Sequence, residues 1–169
     1  MIQQHINVST TFSGSNSFNR SWKEYELGFG DAKGDYWIGN HVLTWLTENG
    51  DYKLTFELQP RNTSKWYYAE FSTFIVLSDA HNYKLQVAGY KGNVGLDSFS
   101  RHSEMMFTTY DRDNDQWSSG NCAGKLGGGF WYNDCYTCGV NNAPNVFNWI
   151  GLSGGRPELL TSRMWLQCK

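Results

Sequence analysis

Asp111, Asp113 and Asp115 alternate along the run Asp111-Arg112-Asp113-Asn114-Asp115. Carboxylates spaced two apart on irregular backbone suit a hard cation such as calcium, which takes about six to eight oxygens and accepts carbonyls beside carboxylates. An EF-hand loop needs Gly at its sixth position and Glu at its twelfth. Counted from Asp111, those positions hold Gln116 and Cys122, so that template fails. The competing reading is a solvated acidic turn in which Asp and Asn side chains cap their own backbone. Catalysis fits less well, because glycoside hydrolysis needs two acids facing each other across a sugar. His5, His41, His81 and His102 are scattered, and His102 reads as a surface or hydrogen-bonding residue. Gly127-Gly128-Gly129 is followed by no Lys-Ser/Thr pair, so it is a close backbone approach or a tight turn rather than a phosphate loop. Nucleophile-elbow, Walker, H-E-x-x-H and G-x-G-x-x-G motifs are absent. The pattern points away from an enzyme.

Cys122, Cys135, Cys138 and Cys168 all lie in the last third of the chain. They allow three complete pairings. Cys135-x-x-Cys138 is half of a zinc ribbon, but the second close pair is missing, which favours disulfides.

These residues need a frame to position them. With 169 residues the chain has the length of one domain. A net charge of −2 calls for neither nucleic acid nor an anionic membrane surface. No apolar run approaches the roughly 20 residues that would insert across a membrane. Met1-Ile2-Gln3-Gln4-His5 has neither a basic nor an apolar signal region. Glycosylation sequons at Asn7-Val8-Ser9 and Asn62-Thr63-Ser64 are compatible with secretion. Aromatic residues make up 17% and charged residues only 18%, a composition for compact, loop-rich packing.

Ser21 to Tyr25 reads as a short helix stopped by Gly28-Phe29-Gly30, and Thr44 to Thr47 as a second. A weak strand is expected at Ile6 to Val8. Tyr52 to Leu58 alternates apolar and polar residues as a half-buried strand does. Tyr67 to Leu77 reads as one or two strands, Tyr83 to Val87 as another, and Leu159 to Leu166 as a closing strand. The middle of the chain is therefore an antiparallel sheet. From Gly92 to Gly155 the periodicity dissolves, and a loop region of that length must be functional or tied down.

Read in order, several segments carry a resemblance. Phe18 to Gly30, Gly34 to Asn40, Asp111 to Asp115, Asn121-Cys122-Ala123 and Gly128 to Cys135 resemble the ordered motifs of fibrinogen-related domains, over about residues 10 to 166. Fibrinogen chains, ficolins, tachylectins, angiopoietins and tenascins share this domain. The resemblance implies an α+β fold of the fibrinogen C-terminal type: a twisted, mainly antiparallel sheet with short helices and a large irregular loop subdomain. The whole of 1–169 is then one fibrinogen-related domain. Its parts are an N-terminal part and central sheet over about 1–88, a calcium and ligand subdomain over about 89–155, and a closing strand over 156–169.

An extracellular location and a Cys122–Cys135 disulfide are also implied. A calcium ion is expected on the side chains of Asp113 and Asp115 and the carbonyls of Trp117 and Ser119, with Asp111 left out. The implied ligand pocket lies beside it, around Asp134, Cys135 and Tyr136, with a cis Asp134–Cys135 bond and with Trp131 and Tyr132 as neighbouring aromatics. Packing in the core is the competing role for Trp131.

Several departures from the family pattern matter. Tyr136 stands where the family has His, and the stretch before Trp149 is short and supplies no pocket Tyr. Lys125 and Leu126 replace polar and acidic residues, which argues against capture of a basic peptide terminus. The N-terminal subdomain lacks its usual cysteine pair, and Cys138 and Cys168 are extra, free to pair together or for Cys168 to link chains. Two readings follow. One is a lectin-like module for acetylated or simple glycan groups, as in innate immunity. The other is a receptor-ligand or matrix domain that binds a protein. Either could act as a homo-oligomer.

Overall fold

The computed structural model describes residues 1–6 and 17–169, so the Asn7 sequon and the Asn7-Val8 part of the expected strand lie outside the described residues. In chain order the elements are β1 (Gln3–Ile6), α1 (Trp22–Leu27), β2 (Phe29–Gly30), β3 (Tyr36–Trp37), α2 (Asn40–Asn49), β4 (Tyr52–Pro60), β5 (Tyr67–Val76), β6 (Leu85–Gly92), α3 (Cys122–Leu126) and β7 (Leu159–Cys168). The strands form one seven-stranded sheet in the order β2-β3-β1-β7-β4-β5-β6. Every pairing is antiparallel.

Local chemistry explains the helices. Ser21 caps α1 in a capping box with Glu24: each side chain satisfies a backbone N–H that the first turn leaves unpaired. Gly28, at φ +91°, ends the helix. In α2 the sequence reading was too short, because the helix starts at Asn40 rather than Thr44. The buried Leu43 and Thr47 supply the reason: the Thr47 hydroxyl donates to the Leu43 carbonyl and accepts from the Val76 N–H of β5, so tertiary packing extends the helix. Tyr83, expected in a strand, sits at positive φ in a turn, and β6 begins at Leu85.

Leu54, Phe56 and Leu58 of β4 are fully buried, and the Phe56 ring meets Phe71, Phe99 and Trp149. β7 is the last strand in sequence and lies near the middle of the sheet, between β1 and β4. Phe18, Tyr25, Trp37, Phe107, Phe130 and Trp131 form a second aromatic layer under the loop subdomain. That layer is the base on which residues 107–150 are laid.

Candidate functional site

The acidic loop is held from several sides. Asp111 accepts from the backbone N–H of Trp22 at 2.8 Å and from the Thr109 hydroxyl at 2.7 Å, tying the loop to the start of α1. The Arg112 guanidinium stacks 4.0 Å from the Trp22 ring and donates to the Asn82 side-chain oxygen at 2.6 Å. Asn114 donates through its side chain to the Phe107 carbonyl at 2.8 Å. One Asp111 oxygen is thus engaged as a structural acceptor.

Asp113 is exposed and Asp115 half-buried. One Asp115 oxygen accepts from the Trp117 N–H at 2.9 Å and the other from the Cys122 N–H at 2.8 Å, while Asp113 accepts from the Asp115 N–H at 3.3 Å. Burial pushes the Asp115 carboxyl above its ordinary pKa, the two backbone N–H groups oppose that, and the neighbouring Asp113 charge raises it further. Among the described residues no three His, Cys, Asp or Glu groups come together as a metal cluster. A cation on this loop would therefore depend on carbonyl and water oxygens beside the two carboxylates. That all-oxygen set suits calcium and does not suit zinc. The Trp117 carbonyl accepts from the Gly120 N–H at 3.2 Å and keeps a second lone pair. Ser119 is exposed.

Asn121 caps α3 by accepting from the Gly124 N–H, and Cys122, the first residue of that helix, is bonded to Cys135. The bridge closes a loop with a sequence separation of 13. In the loop-entropy model that stabilises by about 3 kcal/mol. Cys138 and Cys168 do not pair with each other: Cys138 is fully buried under the loop subdomain and Cys168 is exposed at the end of β7. The extra cysteines are two free thiols, and burial raises the Cys138 thiol pKa. In the native protein iodoacetamide should label Cys168 and spare Cys138, with both labelled in denaturant, as mass spectrometry would read. Native labelling of Cys138 at the Cys168 rate would contradict this burial.

The Asp134–Cys135 peptide bond is cis. Among the described residues the backbone N–H groups of Asp134, Cys135 and Tyr136 donate to no internal acceptor. Tyr136 is half-buried. Its hydroxyl accepts from Arg156, whose guanidinium lies 4.9 Å from the Tyr136 ring and donates to Asn148 at 2.9 Å.

Two of the expected pocket residues lie elsewhere. The Trp131 ring is fully buried, and its indole N–H donates to the Tyr83 carbonyl at 2.7 Å. Tyr132 is equally buried, with its hydroxyl shared between the Gly128 carbonyl at 2.6 Å and Asn142 at 2.7 Å. Packing claims both rings, so neither lines an open pocket.

Of the two roles offered for His102, hydrogen bonding is the one it has: it is fully buried, bonds through Nδ1 to the Trp131 carbonyl at 2.7 Å and accepts at Nε2 from the Thr137 N–H at 3.3 Å. Other supporting residues escaped the sequence reading. The Gln3 side chain donates to the Val140 carbonyl and to Asn141, both at 3.1 Å. The Tyr25 hydroxyl bridges the Phe18 carbonyl and the Gly129 N–H, each at 2.8 Å. A Cβ on Gly128 would come within 1.9 Å of the Asn141 carbonyl, the close approach the glycine run suggested. These partners lie up to 138 residues apart, so no local pattern could show them.

A fold of this topology, with the acidic loop, the bridge and the aromatic base in this order, defines a fibrinogen-type recognition domain. The family model for the C-terminal globular domain of fibrinogen beta and gamma chains matches residues 5–150, and the chain belongs to that family. Human angiopoietin-related protein 2 is 41% identical over 128 residues, covering 76% of this chain and 25% of that protein. Mouse fibrinogen alpha chain is 39% identical, covering 83% of this chain and 18% of that one. This chain thus spans a quarter or less of either relative's length.

The fibrinogen-like globe domain of human ANGPTL2 superposes with a TM-score of 0.86 at 32% identity, covering 99% of this chain and 78% of that one. A lamprey fibrin D-dimer complexed with the peptide Gly-His-Arg-Pro-amide shares the fold at 24% identity. Domains of this family are binding modules and not enzymes. Relatives such as angiopoietin-related protein 2 and fibrinogen are extracellular, and no helix among the described residues is long and apolar enough to cross a membrane.

Proposed function

We propose that the chain is an extracellular, calcium-supported recognition domain that takes an acetyl or similar small acceptor group of a glycan at Asp134, Cys135 and Tyr136. The observation that carries this reading is the set of three successive backbone N–H groups with no internal acceptor, beside a half-buried aromatic ring. An acetyl carbonyl is a matching acceptor, and donors already held in place cost little ordering entropy on binding. Asp113 and Asp115 would hold calcium together with the Trp117 and Ser119 carbonyls, and the ion would neutralise two adjacent carboxylates. Both Asp115 oxygens accept N–H groups, one of them on Cys122, so order in that loop passes to the bridge and on to Cys135.

A second reading is favoured by a different observation. With Trp131 and Tyr132 buried and Arg156 lying over Tyr136, the site has little apolar wall, which suits a broad protein contact better than a small sugar. Isothermal titration with N-acetylglucosamine, in calcium and then in excess EDTA, separates the two. Calcium-dependent heat supports the acetyl reading. No heat, in protein that calcium still stabilises, leaves the protein partner.

The calcium assignment has its own test. Calcium at about 100 times its Kd should stabilise the fold by about 2.7 kcal/mol. Asp113→Asn and Asp115→Asn should each weaken that effect at least tenfold in calcium concentration, read as Tm against added calcium. Asp111→Asn should leave it within about threefold. Equal loss from all three would make Asp111 part of the site, and no rise in the parent chain's Tm with calcium would point to a solvated turn without a bound ion.

A further inference from the structure

A cleft of about 510 Å³ opens between the β4–β5 connection and the segment before β7. Its walls include Asn62, Thr63, Lys65, Tyr67, Ser153 and Arg156, and no carboxylate lines it. Neither Lys65 nor Arg156 has an ion-pair partner among the described residues. Glu158, the nearby acid in sequence, pairs with Arg61 at 3.0 Å. Two positive charges thus face a hydroxyl- and amide-bearing wall in a chain whose net charge is −2.

Tyr67 also lines a second depression of about 410 Å³ with Glu57, Trp66, Tyr68 and Arg163. Trp66 and Tyr68 keep 43% and 39% of their surface exposed. The Arg163 guanidinium sits 5.0 Å from the Trp66 ring and props it on the outer face of the sheet. The loop that joins the two depressions is already shaped: Arg61 N–H donates to the Glu158 carbonyl at 2.9 Å and Lys65 N–H to the Thr63 hydroxyl at 3.2 Å.

We infer that this strip binds an acidic oligosaccharide. Lys65 and Arg156 take a sulfate group, while Asn62, Thr63 and Ser153 meet ring hydroxyls. Trp66 and Tyr68 offer apolar faces on which the next sugar ring packs. Cations supply charge attraction, aromatic rings supply area, and short polar side chains supply direction; that combination matches a chain that is charged, hydroxylated and flat-faced at once. The strip stands apart from the acetyl reading. It shares only Arg156 with that site and uses neither the Tyr136 N–H nor calcium.

The test uses the Ser64→Ala chain, which keeps Asn62 unglycosylated, since a glycan there would sit at the cleft rim. A fluorescent heparin hexasaccharide is titrated at 50 and 300 mM NaCl, and its desulfated, N-acetylated counterpart is titrated in parallel. The sulfated form should bind at least tenfold tighter at low salt, and salt should shrink the gap. Lys65→Gln, an exposed change without risk to the fold, should weaken it at least threefold. Lys65→Gln with Arg156→Gln should weaken it at least tenfold and Trp66→Ala several-fold, while Lys84→Gln, far along the chain and paired with Glu104, should change nothing. Equal binding of the sulfated and desulfated forms would sink the inference, as would an unchanged double variant. An oligoglutamate of equal charge binding as tightly would also overturn it, in favour of an acidic peptide. Failure of N-acetylglucosamine to bind, with the sulfated sugar still bound, would remove the acetyl reading alone.

Discussion

Trp131→Ala should destabilise the domain by about 3–5 kcal/mol, the usual range for emptying a buried Trp site. The indole is fully buried between Trp37, Phe74, Phe99, Phe107 and Phe130, with ring centroids 5.2 to 6.4 Å away. Its removal also orphans the Tyr83 carbonyl that accepts the indole N–H. An orphaned buried acceptor costs about 1–3 kcal/mol by itself. Trp131→Phe should therefore cost less, through loss of that bond and partial loss of area. Urea unfolding of the two variants measures both effects, and Tm should fall by about 2–4 °C per kcal/mol for a chain of this size. If Trp131→Ala cost under 1 kcal/mol, the aromatic base would not be what holds the loop subdomain. The same pair bears on the proposed site: if N-acetylglucosamine binds there, Trp131→Phe should leave that affinity unchanged, because the ring faces the core.

Acid should weaken the fold well above the range where carboxylates titrate. Burial lowers the pKa of His102 to about 4; the bond to the Trp131 carbonyl opposes the shift and nearby Arg101 adds to it. In the unfolded chain a His titrates near 6.5. Between those values the unfolded state binds a proton that the folded state refuses, so stability rises with pH. His102 thus contributes nothing pH-dependent above about pH 7 and destabilises progressively as pH falls from about 6.5 to 4. The loss reaches about 3 kcal/mol at the lower end, from a pKa gap of about 2.5 at 1.36 kcal/mol each. His5 acts in the same direction, because burial also lowers its pKa, with Asp35 and the Val140 carbonyl opposing. Asp115, raised by burial, opposes the trend only at the acid end, where carboxylates protonate. Thermal melts at pH 7.5 and 4.5 should differ by roughly 6–12 °C. His102→Gln should melt lower at pH 7.5 and show a visibly flatter profile. An unchanged pH profile in that variant would assign the acid sensitivity to other groups.

How much of this was legible in the chain depends on how local the physics is. The capping box at Ser21 and Glu24 and the alternation from Tyr52 to Leu58 are set by neighbours within a few residues, and both elements stand where their patterns put them. Motif order was legible too, and with it the family and the Cys122–Cys135 bridge. The length of α2 was not, because Thr47 helps hold it through the Val76 N–H of β5. The burial of polar Gln3, Gln4 and His5 was not legible either: all three lie in β1, between β3 and β7. Their buried partners include Val140, Asn141 and Ser162, groups that the sequence places more than a hundred residues away.

By itself, then, the amino-acid sequence determined the recognition class, the antiparallel sheet and the composition of the acidic loop. Each rests on local periodicity or on motifs read in order. Tertiary structure alone decided which aromatic residues are base and which are surface. Trp131 and Trp66 are the same residue type in comparably aromatic stretches, yet one is fully buried and the other 43% exposed. The difference comes from what lies across the fold: a ring of Phe and Trp side chains and a carbonyl for Trp131, solvent and Arg163 for Trp66. Burial is a property of long-range neighbours, and a one-dimensional pattern holds it only where those neighbours repeat.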